Sequence, residues 1–148
     1  MGVSILVEWP GSSEDQRRAH PGLRNDDHLW VHWVMDLLGK PQAISQLEEL
    51  GLGLLLHFNT AGLTAEDIDW ETPGDFERAA LALRDLIAAK DPRVQLLIDV
   101  YRKEWNRIVG EGQGQVEEWF GSDLEDIAGI ARYAQAQGAS KMTLGYYW

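Results

Sequence analysis

Two histidines and an aspartate, His28, His32 and Asp36, recur at four-residue spacing inside the run His28–Leu38. On a helix turning about 100° per residue they fall within an arc of about 80°. Leu29, Trp30, Val31, Trp33, Val34, Met35, Leu37 and Leu38 fill the rest of the circumference. A helix that is apolar nearly all round is normally buried, so this polar stripe is expected to be enclosed or to line a cleft.

Three chemistries suit such a stripe. Two histidines one turn apart can share a metal ion, but Leu29 stands where a metalloprotease helix places its glutamate next to the first histidine. His28 and Asp36 lie about 12 Å apart along the axis, too far to hold one ion at about 2 Å. A metal would need a neighbouring pair and ligands from elsewhere, and His57 and His20 are the only other histidines. His57 lies on the apolar run Gly51–Asn59 and could face the same interior. The second reading is structural: His32 and Asp36, one turn apart, satisfy each other by a hydrogen bond. The third is a cleft in which His32, oriented by Asp36, serves as a general base or a ligand.

Other catalytic patterns fail. No G-x-S-x-G turn presents a nucleophilic serine. The glycines of Gly110–Gln115 are not followed by the Lys and Ser or Thr that a phosphate loop requires, and they read as a connector. Acid pairs such as Glu117/Glu118 and Asp123/Glu125/Asp126 are accounted for by the preference of helix starts for negative charge.

The elements that must position these residues are punctuated clearly in places. Val3–Trp9 is β-branched and aromatic and stops at Pro10-Gly11, a strand pattern. Gly11–Asp27 reads as a long polar loop. His28–Leu38 is a helix closed by Gly39-Lys40-Pro41, and Gln42–Leu50 is a shorter one. Gly51–Asn59 has the length and composition of a buried strand. Thr64 caps a helical turn, and Thr72-Pro73 and Asp91-Pro92 each begin a helix by pairing a cap with a proline. Over Pro92–Val109, Val94, Leu97/Ile98, Tyr101, Trp105 and Ile108/Val109 then form a stripe of period 3.6 that is expected to be buried. Val116–Phe120 reads as one turn, and Ser122–Glu125 as a capping box that opens the last helix. Lys141–Trp148 closes the chain as a strand.

The fold class expected is therefore α+β: residues 1–148 as a single helix-rich domain with a small sheet formed by the N- and C-terminal strands. With 45% hydrophobic and 25% charged residues the chain has the composition of a globular protein. It contains no cysteine, which removes disulfides, thiolate nucleophiles and Cys-ligated zinc. Neither a signal peptide nor an apolar run approaching about 20 residues is present, so a cytoplasmic location is expected, with no membrane association.

The net charge is −11, and residues 1–74 hold 12 acids against 4 bases. No Lys/Arg cluster is available to neutralise phosphates, which argues against nucleic acid. Such a charge attracts a basic protein partner. Trp9, Trp70, Trp119 and Trp148 fall at element ends, where half-exposed rings could add to a binding surface. The functional expectation is a non-enzymatic binding or inhibitor module for a basic protein, of the immunity or antitoxin type, with no cofactor. The alternative is a small metal- or His-dependent hydrolase or ligand-binding domain centred on His28, His32 and Asp36, with His57 in reach.

Overall fold

A computed structural model describes residues 4–22, 27–59, 70–110 and 115–147, with the backbone alone at 4, 27, 28, 58, 59, 146 and 147. The chain begins with strand β1 (Ser4–Glu8) and closes with β3 (Thr143–Tyr147), which pair antiparallel from Ser4↔Tyr147 to Glu8↔Thr143. A two-residue strand, β2 (Phe58–Asn59), adds in parallel on the other side of β3, giving the order β1-β3-β2. The remaining elements are helices: α1 (Glu14–Arg18), α2 (Asp27–Leu38), α3 (Pro41–Glu49), α4 (Pro73–Ala88), α5 (Gln95–Ile108) and α6 (Val116–Ala136). The α+β class and the pairing of the chain ends match the sequence pattern.

Side-chain chemistry explains the helix starts. Thr72 caps α4 by accepting from the Asp75 amide, with Pro73 at the first helical position. Asp91 accepts from the Arg93 amide and guanidinium and starts a 3-10 turn, Pro92–Val94, that runs into α5. The hydrogen bonds from Arg93 hold the Asp91 carboxyl down to about 2.

Three expectations are corrected. The segment after β1 is not a plain loop. Ser13 and Gln16 form a reciprocal capping box that opens α1, a helix with no buried residue of its own. The Tyr133 hydroxyl donates to the Gln16 carbonyl at 2.8 Å and ties α1 to α6. The run from Gly51 is strand only at Phe58–Asn59, because Gly53–Leu56 winds into a 3-10 turn that buries Leu55 and Leu56. The last helix does not start at Ser122. It runs unbroken from Val116, and Asp123 is buried on its inner face among Phe120, Leu124 and Ile127. The turn expected at Thr64 and the residues 111–114 lie outside the described residues.

One contiguous hydrophobic cluster joins the elements. In it α2 packs on α5, α4 on α6 and α5 on α6. Its centre is aromatic: Trp33 meets Trp30 at 5.0 Å and Phe120 edge-on at 4.9 Å, and Phe120 stacks on Tyr101 at 4.3 Å. Trp105 is core, as its spacing predicts, and meets Trp119 edge-on at 4.6 Å. Trp9 departs from expectation. It is buried and packs against Tyr133, so it offers no surface ring. The exposed large apolar residues among those described are aliphatic: Met35, Leu38 and Val109.

Candidate functional site

Helix α2 buries Leu29, Trp30, Val31, Trp33, Val34 and Leu37. This packing turns the polar stripe to the margin of the core rather than into it. His32 is half-buried, and the Asp36 side chain retains 22% of its exposure. The His28 side chain lies outside the described residues. Asp36 accepts from the Lys40 ammonium at 2.9 Å, one turn on, and its other oxygen lies 3.5 Å from the Lys103 ammonium of α5. The carboxylate is thus shared between two cations and joins α2 to its own C-terminal turn and to the neighbouring helix.

Burial pushes the Asp36 carboxyl up, but the hydrogen bond from Lys40 and the charges of Lys103 and Lys40 outweigh it and hold the group below its ordinary 3.8. A carboxyl more acidic in the folded than in the unfolded chain stabilises the fold above its unfolded value. That contribution fades as pH falls through the lower folded value. Both lysines are substantially exposed, so its size is below about 1 kcal/mol. Thermal melts of the wild type and Asp36→Asn are expected to differ at pH 7 and to converge as pH falls below the ordinary carboxylate range. A gap that stays constant across this range would show that the ion pairs do not operate.

His57 follows the 3-10 turn, and its Nδ1 meets Glu71 Oε1 at 2.6 Å. Both residues are fixed to the start of β3. Glu71 exchanges backbone hydrogen bonds with Met142, and the Thr143 hydroxyl donates to the His57 carbonyl. An ionised carboxylate only accepts, so the proton of this contact sits on Nδ1. Nε2 has no hydrogen-bond partner among the described residues, and the side chain is 33% exposed. The arrangement is an imidazole oriented by a carboxylate through one nitrogen. His20, in contrast, spends both ring nitrogens on the fold. Its Nδ1 accepts from the Gly22 amide, so Nε2 donates to the Ile5 carbonyl of β1. Among the described residues no three His, Asp or Glu side chains gather as metal ligands.

A third feature was not flagged by the sequence. The C-terminal end of α4, the start of α5 and the first half of α6 enclose an open groove of about 1000 Å³. Ala88 and Gly121 lie along it with Ile87 and Ile98 buried beneath, Asp85, Glu117, Glu118 and Glu125 are its carboxylates, and Arg84 and Lys90 its cations. The bases are largely spoken for. Arg84 holds Asp85 and Glu125, and Arg102 holds Glu117. Glu118 makes no ion pair among the described residues. A smaller hollow of about 430 Å³ borders Pro21, Gly22 and Arg132, and that arginine is already paired with Glu77. The groove is assembled by residues 84–98 and 117–125 from three helices, so no local motif announces it.

No family model, no curated protein and no solved structure matches this chain.

Proposed function

We infer that the chain is a non-enzymatic binding or inhibitor module whose partner is a basic protein. The observation that carries this reading is where the unneutralised acids stand. Of the 13 bases, Arg18, Lys40, Arg78, Arg84, Arg93, Arg102, Lys103, Arg107 and Arg132 are consumed in ion pairs with the chain's own acids. Glu48 and Glu49 are exposed at the C-terminal end of α3, whose last turn contains no base. A helix C-terminus carries negative partial charge, so acids there cost its own fold about 0.3–1 kcal/mol each. A basic partner relieves that repulsion, and the field of a chain at −11 steers it in. The immunity or antitoxin type, a small acidic protein masking a basic one, is the functional class this charge pattern fits. It is an analogy of chemistry rather than of shared sequence.

The test is capture of proteins from the source cell on the immobilised chain, repeated with the purified pair. Raising salt from about 0.1 to about 1 M shortens the screening length from about 10 to about 3 Å and is expected to weaken the complex at least about tenfold. Glu49→Lys is expected to raise thermal stability slightly while slowing association. A purified partner that is acidic, or binding indifferent to salt, refutes the reading.

A second reading, a His-dependent hydrolase or ligand-binding domain, is favoured by one observation, the orientation of His57 by Glu71. That moves the weight of this alternative from His28, His32 and Asp36 towards His57. Bound metal or small molecule in the purified protein, lost in His57→Ala, is its expected signature. Retention of the bound species in that variant removes it.

A further inference from the structure

We propose that His20 is a latch that holds the segment after β1 against the edge of the sheet while its imidazole is neutral, and releases that segment when the ring takes up a proton. Three residues build the latch. Pro21 restricts the backbone after His20, and Gly22 adopts a φ of 79°, in the left-handed region that favours glycine. This turn brings the Gly22 amide back onto His20 Nδ1 at 3.0 Å, while Nε2 lies 2.7 Å from the Ile5 carbonyl of β1. A backbone amide donates and a carbonyl accepts, so the ring carries its one proton on Nε2 and keeps Nδ1 bare. An imidazolium donates from both nitrogens. A proton on Nδ1 would point at the Gly22 N–H, and the turn must give way.

The held segment has little packing of its own, since α1 has no buried residue. Side-chain hydrogen bonds fasten it at its middle and its end: the Tyr133 hydroxyl of α6 on the Gln16 carbonyl, and His20 on Ile5. β1 is the outer strand in the order β1-β3-β2, and α1 packs against it. An edge strand offers backbone groups to other chains unless something covers it. Here the Ile5 carbonyl is spent on His20, and Ile5 and Val7 are buried. The charged groups around the turn are Glu8 of β1, Glu14, Asp15, Arg17 and Arg18 of α1 and, across the hollow beside Pro21 and Gly22, Glu125, Asp126 and Arg132 of α6. Arg18 pairs with Glu14, Arg132 with Glu77 and Glu125 with Arg84. The bonds of the His20 ring run to backbone groups instead, and neither group is placed to accept a proton from Nδ1.

The experiment is amide hydrogen exchange by NMR on the full chain between about pH 8 and about pH 5, the span in which an imidazole takes up its proton, with protection corrected for the intrinsic pH dependence of exchange. Ring nitrogen shifts are expected to show the Nε2–H form of His20 at about pH 8. As that ring protonates, protection at Gly22 and at the α1 amides of Arg17 and Ala19, which bond Ser13 and Asp15, is expected to fall about three- to tenfold, the worth of one hydrogen bond. The core amides of α4, α5 and α6 keep theirs. His20→Ala removes the latch, so the same amides are expected to exchange at the faster rate at both pH values. His20→Gln, which does not titrate, gives the same pH independence should the alanine variant not fold. An Nδ1–H ring at about pH 8, protection that survives protonation of His20, or a pH response retained in the variants overturns the latch. So does a loss of protection shared by the whole core, which is acid unfolding and not release of the segment.

Discussion

Replacing Trp33 with alanine is expected to destabilise the fold by about 3–5 kcal/mol, the usual cost of emptying a large aromatic site in a core. Trp33 is fully buried on α2. Its ring touches Trp30 on the same helix and Phe120 on α6, and its indole N–H donates to the Leu97 carbonyl of α5 at 3.1 Å. One side chain therefore ties three helices, and each aromatic contact adds about 0.5–1.5 kcal/mol beyond the area it buries. At about 2–4 °C per kcal/mol for a chain of this size, the melting temperature should fall by roughly 6–20 °C. Native stability is typically 5–15 kcal/mol, so the variant should still fold at low temperature. Trp33→Phe keeps most of the ring contact and loses the hydrogen bond, and about 1–2 kcal/mol is expected. Urea unfolding followed by circular dichroism measures both. A loss under 1 kcal/mol for Trp33→Ala would mean that the helices do not meet there.

That junction was half legible in the sequence. The spacing of Trp33 among apolar neighbours places it in a core, and Thr72-Pro73 and Asp91-Pro92 mark two helix starts by capping chemistry that acts within a few residues. Local signals of this kind can be read without a fold. α1 carried one too, the Ser13/Gln16 capping box, but with no apolar face behind it the segment resembles a loop. At Ser122 two local signals competed. The cap-like sequence favours a start, while Val116, Phe120, Leu124 and Ile127 repeat at helical spacing through it. Burial of that stripe against α4 and α5 outweighs a single cap.

The site residues divide along the same line. Helical spacing puts His32 and Asp36 on one face of α2, and Lys40 follows Asp36 at the same interval, so that ion pair is written locally. Lys103 reaches Asp36 from α5 and Glu71 reaches His57 from 14 residues away, and both depend on how helices and strands are brought together. The groove beside Glu118 belongs to this second kind. Its three walls come from separate helices, and only the packing of α4 and α5 on α6 makes a surface of them.

The second large effect is expected where that misread start lies. Asp123 is fully buried in α6, and its Oδ2 accepts from the Tyr101 hydroxyl of α5 at 2.6 Å, directly beneath the Phe120 stack. A short hydrogen bond to a carboxylate in a dry environment is worth about 1.5–3 kcal/mol. Tyr101→Phe removes that bond while keeping the stacked ring, so a loss in this range is expected. Asp123→Ala removes the acceptor, leaves the hydroxyl buried without it and opens a small void, and about 2–4 kcal/mol is expected. The two changes act on one contact, so the double variant should be less destabilised than the singles combined, by a coupling of about 1–3 kcal/mol. A stability difference measured by urea unfolding for all four proteins closes the cycle. Additivity within about 0.5 kcal/mol would show that Tyr101 and Asp123 are held independently by their other surroundings. A large coupling would identify this polar contact as what fixes the register of α5 against α6. That register also sets the spacing between Ile98 and Glu118 across the groove.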